Sequence, residues 1–289
     1  FAKDPETSII TMYLEGVKDG RKLFQQVQEL NPRKPIIIWK GGLTNLGARA
    51  VSSHTASLGG ERAIWDAFFK QTGAVRAGSV EELADASLAF LCLPPPRGRR
   101  IAVVVGGGGN SVATADICSA EGLDLPVLSP QTQELVQKLV PDVGTSVRNP
   151  VDAGMVYRNT QELAKGVEAI YNDPSVDMVV LALNLSMTRG QQDTNRRWSE
   201  NVDFLCQFVK ENPEKKPLAA ILSTWSDPKE AMPILSDLHK RLLEGGIPVY
   251  ASLARASRAL ARFVGYHEYH RERGIPVTYK RLADRGKLG

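Results

Sequence analysis

Residues 101–111 read IAVVVGGGGNS: five apolar residues, four glycines and two small polar residues. The apolar run is rich in β-branched valine and has the length of a buried strand, and a helical pattern follows from Ser111. Glycine lets the backbone turn tightly between the two and approach a bound group closely. The segment therefore predicts a strand, a glycine turn and a helix, the unit from which parallel α/β sheets are built.

The rest of the second half continues this alternation. We predict strands at 101–105, 123–128, 177–183, 218–223 and 248–251, with helices at about 111–121, 131–139, 160–172, 197–211, 229–243 and 253–265. Continuous apolar runs are typical of strands that helices cover on both faces. Five such strands predict a doubly wound, flavodoxin-like or Rossmann-like domain.

The first half shows the same alternation on a smaller scale. We predict strands at 9–14, 35–40 and 73–76, with helices at about 19–30, 61–71 and from Ser79 onward. Residues 41–60 interrupt this pattern with a long segment that contains five glycines. Long irregular segments in compact domains are often functional.

Three consecutive prolines, Pro94–Pro96, mark the clearest boundary, because they cannot continue a helix and favour a stiff, extended linker. We therefore expect a first α/β domain at 1–96 and a second at 97–265. The charged residues 266–289 are read as a helical extension and a tail.

Composition narrows the class of protein. The chain has 289 residues, 43% hydrophobic and 24% charged, with a formal net charge of +4, which is typical of a folded globular protein. The charge is scattered and no basic stripe carries aromatic residues, so we expect no nucleic acid partner. No apolar run is long enough to cross a bilayer, and the three cysteines have no metal-like spacing. We therefore expect a cytoplasmic protein without a membrane partner.

His54 is the first candidate for chemistry. It lies among small, polar and glycine residues, in the sequence SSHTASLGG, where an imidazole has little apolar surface to pack against. Near pH 7 an unperturbed imidazole is mostly neutral and is a competent nucleophile. A single loop histidine usually has no function, so the interpretation depends on its partners.

Glu15 is the first such partner, because it follows a predicted strand and lies at the carboxyl edge of the sheet. A carboxylate bonded to one imidazole nitrogen would fix the tautomer and leave the other nitrogen free to attack. The alternative is a solvated carboxylate or one that caps a neighbouring helix.

The glycine turn is the second partner. Gly107, Gly108, Gly109, Asn110 and Ser111 place backbone N–H groups and a positive helix end at the edge where anions bind in open α/β sheets. The turn is neither a Walker A loop nor a true G-x-G-x-x-G motif. Spacing alone therefore leaves phosphate binding and a plain tight turn equally open.

Two further groups have simpler interpretations. Asn149–Asp152 reads as a turn, with a weaker alternative role near a phosphate. His267 and His270 have the i, i+3 spacing of a metal-binding pair, but a third ligand is lacking. We therefore expect surface histidines and no metal site.

Several motifs occur in a characteristic order: YLEGVKDGR at 13–21, KGG at 40–42, GARA at 47–50, SHT at 53–55, the glycine turn and NPVD at 149–152. Together they resemble the NDP-forming acyl-CoA synthetases, the ADP-forming acetate–CoA ligase type of the succinyl-CoA synthetase superfamily. The resemblance runs from Phe1 to about Tyr266.

The resemblance implies an α/β fold of two flavodoxin-like, succinyl-CoA synthetase-like domains, the first N-terminally truncated. It implies that His54 carries a phosphoryl group between an acyl phosphate and ADP, that Glu15 orients it, and that the glycine turn binds phosphate. CoA and ATP or ADP with Mg²⁺ would be substrates of the complete enzyme, none held firmly by this chain.

The partners implied are CoA-binding and ATP-grasp domains or a subunit, a small carboxylic acid, and copies in a homo- or hetero-oligomer. The chain alone is therefore expected to be inactive. One departure is that Ala56 and Gly59 stand where the family usually has glycine and alanine.

Two other classes stay open. A non-catalytic regulatory or binding module derived from such domains is the first, and the joint presence of His54 and Glu15 counts against it. A dehydrogenase-like nucleotide-binding domain is the second, and it is disfavoured because VLS at 127–129 offers no acidic residue for a ribose.

Overall fold

The computed structural model describes residues 1–44, 46–47, 61–106, 108–140, 146–152, 159–185, 192–213, 216–224 and 228–285. The chain divides into two compact units. The first unit consists of Phe1–Leu91 and Arg262–Gly289, and the second of Cys92–Ala261. The proline run at 94–96 therefore lies just inside the second unit, and the last residues of the chain group with the first.

The first unit is built on a three-stranded parallel sheet in the order β1-β2-β3. Its elements are β1 (Ile10–Leu14), α1 (Gly20–Leu30), β2 (Ile36–Lys40), α2 (Arg62–Thr72), β3 (Val75–Ala77) and α3 (Val80–Cys92). The three predicted strands are confirmed to within two residues. The core includes Ile36 and Ile38 of β2 with Trp65 and Phe68 of α2.

Local chemistry explains where the helices of this unit begin and end. The Asp19 carboxylate caps α1 by accepting a hydrogen bond from the Lys22 N–H at 2.9 Å. After α1, the buried Asn31 amide donates to the Thr72 carbonyl at 3.2 Å and accepts from the Ile36 N–H at 2.8 Å. One side chain thus joins the ends of both helices to the start of β2.

The second unit is built on a five-stranded parallel sheet in the order β5-β4-β6-β7-β8. Its strands are β4 (Ile101–Val105), β5 (Val151–Asp152), β6 (Met178–Asn184), β7 (Leu218–Ser223) and β8 (Val249–Tyr250). Its helices are α4 (Gly108–Ala120), α5 (Pro130–Gln137), α6 (Thr160–Asn172), α7 (Gln192–Glu211) and α8 (Pro228–Glu244). This spatial order, second-first-third-fourth-fifth along the chain, is that of flavodoxin-like domains, and it confirms the predicted fold class.

The predicted strand at 123–128 is wrong, and β5 takes its place beside β4. Only Asp124 forms a bridge, to Arg100, and the chain then leaves the sheet. Pro126 has no N–H to donate, and Val127 is exposed.

The Asn149 side chain fills the gap left beside β4. Its amide donates to the carbonyls of Ile101 at 2.7 Å and Pro126 at 3.1 Å, and its oxygen accepts from the Val103 N–H at 3.1 Å. Asn149 therefore acts as a structural link between backbone segments, which is the turn-like interpretation of the NPVD motif. The Asn149–Pro150 peptide bond is cis.

Helix α9 (Leu253–Glu272) contributes its last residues to the first unit, followed by the short helix α10 (Leu282–Arg285). The predicted surface histidines are wrong, since His267 is 6% and His270 only 1% exposed. His267 Nε2 lies 3.3 Å from the Tyr279 hydroxyl, and His270 Nδ1 lies 2.8 Å from the Tyr266 carbonyl. Both rings are therefore buried, and burial lowers the pKa of His267 to about 3.

Among the described residues, no group of three or more His, Cys, Asp and Glu side chains could hold a metal ion. None of the helices described is both long and apolar enough to span a membrane.

Candidate functional site

Glu15 follows directly after β1, at the carboxyl edge of the first sheet. The Tyr13 hydroxyl donates a hydrogen bond to Glu15 Oε1 at 3.1 Å, and this bond raises the pKa of Tyr13. The Tyr13 ring packs against Trp39 of β2, with ring centroids 4.6 Å apart. Glu15 is therefore a half-buried carboxylate that accepts a hydrogen bond from an exposed tyrosine.

Two glycines follow β2. A Cβ at Gly41 would lie 2.9 Å from the Tyr13 hydroxyl oxygen, the end of an exposed side chain, so a larger residue would shift the group that donates to Glu15. Gly42 has φ +77°, a left-handed conformation that side chains disfavour. The KGG motif thus fixes how the chain leaves the sheet towards the segment that carries His54.

Lys40 ends β2 and is only 4% exposed. Its ammonium group donates to the Glu15 carbonyl at 2.8 Å and to the Gly41 carbonyl, and it lies 5.4 Å from the centre of the Trp65 ring. Burial lowers the pKa of Lys40, and the charge of Glu15 acts against that shift. Lys40 enters the sequence patterns only as part of the KGG motif, which does not predict its burial beside Glu15.

The signal for Lys40 was present in the sequence. A lysine that closes the apolar run PIIIW, next to two glycines, stands at the functional edge of a parallel sheet. Its burial could not be deduced, because it depends on Trp65, which lies beyond the long segment.

The structure describes some of the other predicted site residues but not all of them. His54 and Gly107 lie outside the described residues, so their placement stays a prediction. Gly108, Gly109 and Asn110 form the first residues of α4, which begins three residues earlier than predicted. Glu15 belongs to the first unit, whereas the glycine turn belongs to the second.

The start of α4 has the features of an anion site. The first N–H groups of a helix have no partner within the helix and carry a partial positive charge. Ser111 lies in this first turn, and its buried hydroxyl oxygen has no hydrogen-bond partner in the described part of the chain. Buried polar atoms normally find partners, so an unpaired hydroxyl in the first turn of a helix suits a ligand with several oxygen acceptors.

The amino edge of the same sheet is different. Asp173 is 1% exposed and accepts hydrogen bonds from the Ser129 N–H, the Ser175 N–H and the Ser175 hydroxyl, each at 2.8 Å or less. Burial alone would raise the pKa of Asp173, but these bonds outweigh it and hold the pKa well below its usual range. Nearby, Asp177 forms a bidentate pair with Arg100 at 2.9 and 2.7 Å. These groups are satisfied internally and hold the fold together.

Comparison with known proteins gives the class of the first unit. Residues 1–90 match the family model described as the succinyl-CoA ligase like flavodoxin domain. That part of the chain is therefore similar to the flavodoxin-like domain of succinyl-CoA ligases.

Longer relatives extend the likeness to nearly the whole chain. The alpha subunit of ADP-forming acetate–CoA ligase II from Pyrococcus furiosus is 32% identical over 265 residues, covering 90% of this chain and 54% of that protein. The ADP-forming 4-hydroxybutyrate–CoA ligase of Nitrosopumilus maritimus is 27% identical, with 93% and 36% covered.

A solved structure agrees with these relatives. The dinucleotide forming acetyl-coenzyme A synthetase 1 of Ca. Korarchaeum cryptofilum, in complex with phosphate and ADP, has a TM-score of 0.75 and 29% identity, over 94% of this chain and 56% of that one. The resemblance to the NDP-forming acyl-CoA synthetases is thus confirmed. The chain spans about half the length of the alpha subunit it matches.

Proposed function

We propose that this chain is the phosphoryl-carrying part of an NDP-forming acyl-CoA synthetase. The complete enzyme would convert acyl-CoA, ADP and phosphate into a carboxylate, CoA and ATP, and back. The observation that carries the proposal is the helix start at Gly108–Ser111, where the buried Ser111 hydroxyl has no partner among the described residues, in a chain related to ADP-forming ligases.

In the first step, phosphate displaces CoA from the acyl-CoA and leaves an acyl phosphate. A nitrogen of neutral His54 then attacks the phosphorus, the P–O bond to the acyl group breaks, and the carboxylate departs. In the last step an oxygen of ADP attacks the same phosphorus, the P–N bond breaks, and ATP forms as the ring becomes neutral again.

Each candidate residue has a role in this cycle. Glu15 accepts a hydrogen bond from the second imidazole nitrogen and stabilises the positive charge that the ring gains on phosphorylation. The turn at Gly107–Gly109, with Asn110 and Ser111, binds the phosphoryl oxygens through N–H groups and one hydroxyl. These groups need no side-chain cation of their own.

The remaining parts of the reaction require partners. We infer that CoA-binding and ATP-grasp domains, or a subunit that carries them, bind CoA and the Mg²⁺–nucleotide. A small carboxylic acid is the other substrate, and an oligomer is the expected assembly. On this proposal the chain works in the cytoplasm and is inactive without those partners.

The proposal is tested by ATP formation in the full-length protein together with its nucleotide-binding part. With acetyl-CoA, ADP, Mg²⁺ and inorganic phosphate, the wild-type assembly should form ATP, and His54→Asn should form none while still assembling. His239→Asn, at an exposed histidine of α8, is the matched control and should leave the rate unchanged. ATP formation by His54→Asn at the wild-type rate would contradict the proposal. An assembly that binds phosphate but forms no ATP with any acyl-CoA would favour a binding module instead.

A further inference from the structure

The hydroxyl of Tyr13 is the part of this side chain that packing does not explain. The ring lies against Trp39, with centroids 4.6 Å apart, and a phenylalanine would make the same ring contact. The residue is 51% exposed, so burial of apolar surface contributes little at this position. What tyrosine adds is the hydrogen bond that its hydroxyl donates to Glu15 Oε1 at 3.1 Å.

The first sheet fixes the position of the Tyr13 ring. Tyr13 lies in β1, where it is paired with Trp39 of β2 in the parallel register, and the two rings pack on the same face. Glu15 lies two residues further along, one residue beyond the end of β1. Side chains two residues apart along a strand project to the same side of the sheet. The strand therefore carries the hydroxyl to the carboxylate.

Glu15 is held at two points by described neighbours. Its backbone carbonyl accepts a hydrogen bond from the Lys40 ammonium at 2.8 Å, and its carboxylate accepts the bond from Tyr13. Gly41 leaves space for this arrangement, since a Cβ there would lie 2.9 Å from the Tyr13 hydroxyl oxygen. The backbone contact fixes where the side chain begins, and the hydroxyl fixes where it ends.

The bond to Tyr13 restricts a side chain that would otherwise rotate. Glutamate has three side-chain torsions, and fixing them costs conformational entropy. A carboxylate positioned before the reaction does not incur this cost during it. The bond occupies Oε1, and a carboxylate can accept further bonds at its second oxygen. Tyr13 can therefore orient Glu15 without preventing it from accepting a bond from a second donor.

We propose that Tyr13 is a positioning residue for Glu15: its hydroxyl holds Oε1 and so directs Oε2 towards the imidazole that carries the phosphoryl group. This inference rests on the proposed function and adds a residue to it. Tyr13 itself contacts neither the substrate nor the phosphoryl group. Its effect on the reaction passes entirely through Glu15.

The first part of the test asks whether the bond forms in solution. The full-length protein, assembled with its nucleotide-binding part, is prepared with ring-fluorinated tyrosine, and the fluorine resonance absent from Tyr13→Phe is assigned to position 13. The bond to Glu15 raises the pKa of Tyr13. We expect the ionisation of this residue to move to lower pH in Glu15→Ala, because the acceptor is then missing.

The second part measures how fast the assembly is labelled by radioactive ATP and Mg²⁺. Tyr13→Phe should slow labelling about fivefold and leave the ATP concentration for half-maximal rate unchanged. Glu15→Ala should slow it about 100-fold. The double variant should stay within about twofold of Glu15→Ala, because Tyr13 has nothing to position once the carboxylate is removed.

Tyr269→Phe is the matched control. It removes a hydroxyl of α9 that donates to the Gln71 carbonyl in the same unit, so it tests the loss of a tyrosine hydroxyl that has no contact with Glu15. Labelling by this variant should match the wild type. Thermal unfolding is recorded for every variant, and Tyr13→Phe should melt close to the wild-type temperature because its hydroxyl lies on an exposed side chain.

Three results would overturn the inference while leaving the proposed function intact. The first is a Tyr13→Phe variant that labels like the wild type. The second is an additive double variant, in which Tyr13→Phe slows Glu15→Ala as much as it slows the wild type. The third is an ionisation at position 13 that Glu15→Ala does not change. A folded wild-type assembly that takes up no label contradicts the proposed function itself, and the inference with it.

Discussion

Buried polar groups at the two edges of the second sheet differ in whether they have hydrogen-bond partners. At the amino edge, Asp173 has donors for both of its carboxylate oxygens. At the carboxyl edge, Ser111 has a buried hydroxyl without a partner in the described residues. A buried polar group costs free energy unless it is hydrogen-bonded. The fully hydrogen-bonded Asp173 therefore stabilises the fold, whereas the unpaired Ser111 hydroxyl is suited to binding a ligand.

The first sheet adds a charged case to this contrast. Lys40 is as buried as Asp173, but its bonds are to carbonyls and include no carboxylate in the described part of the chain. Lys40 and Asp173 are therefore both buried but differ in the number and charge of their hydrogen-bond partners.

The largest expected effect is at the amino edge. Asp173→Ala should lower the free energy of unfolding by about 3 kcal/mol, because it leaves the N–H groups of Ser129 and Ser175 without an acceptor. Denaturant unfolding measures the loss. Asp237→Ala, at an exposed carboxylate of α8, is the control and should change stability by less than about 0.5 kcal/mol. A loss of stability no greater than that of the control would show that Asp173 does not stabilise the fold.

Glu15 should show the reverse pattern, with a loss of chemistry and little loss of stability. Glu15→Gln keeps the shape of the side chain and removes the charge proposed to stabilise the ring, so phosphorylation should slow about 100-fold. Rapid-quench labelling gives the rate, and circular dichroism verifies the fold. Glu29→Gln, at an exposed glutamate of α1, is the matched control. An unchanged labelling rate in Glu15→Gln would exclude Glu15 from the site.

The buried histidines predict a pH dependence of stability. His267 is neutral when folded, with its pKa lowered to about 3 by burial, whereas the unfolded chain binds a proton below about 6.5. This contribution is therefore complete above pH 6.5 and declines as the pH falls towards 3. It amounts to about 2 kcal/mol lost by pH 5.

His270 adds to this loss in the same direction, because burial also lowers its pKa. Urea unfolding at pH 7, 6 and 5 measures the decline, and His267→Phe should flatten it. This window lies above the range in which Asp173 titrates, so it isolates the histidines. A pH-independent stability between 7 and 5 would show that the rings are not held neutral.

The smallest effect is expected at Ser111. Ser111→Ala removes an unpaired buried hydroxyl, so the melting temperature should stay the same or rise slightly. The half-life of the phosphorylated state should fall about fivefold if the hydroxyl donates to the phosphoryl group. Ser119→Ala, at an exposed position of α4, is the control. A marked drop in the melting temperature of Ser111→Ala would mean that the hydroxyl is structural.

The sequence predicted the parallel sheets because apolar runs of strand length alternate with helical patterns. It failed at 123–128, where β-type residues surround Pro126, which has no N–H to donate, and where a side chain 23 residues later, Asn149, supplies the hydrogen bonds. Hydrogen bonds supplied by a residue so distant in the sequence leave no signal in the local pattern. The edge strand at Val151–Asp152 was missed for the same reason.

The errors at His267 and His270 had a local signal that was not used. Leu260, Phe263, Val264 and His267 are spaced as one face of a helix, so the apolar face of α9 continues into the histidines. Charged residues next to the histidines made this apolar face hard to recognise in the sequence. The burial of Lys40, in contrast, depends on Trp65 and could be found only from the fold.

The most direct measurement of the central claim is to locate the phosphoryl group. The full-length assembly is labelled with radioactive ATP and Mg²⁺, digested at alkaline pH, and the labelled peptide is sequenced by mass spectrometry. We expect an acid-labile, base-stable label on the peptide that contains His54, removed by added ADP and absent from His54→Asn. A label that survives acid, or one that persists in His54→Asn, would contradict the account.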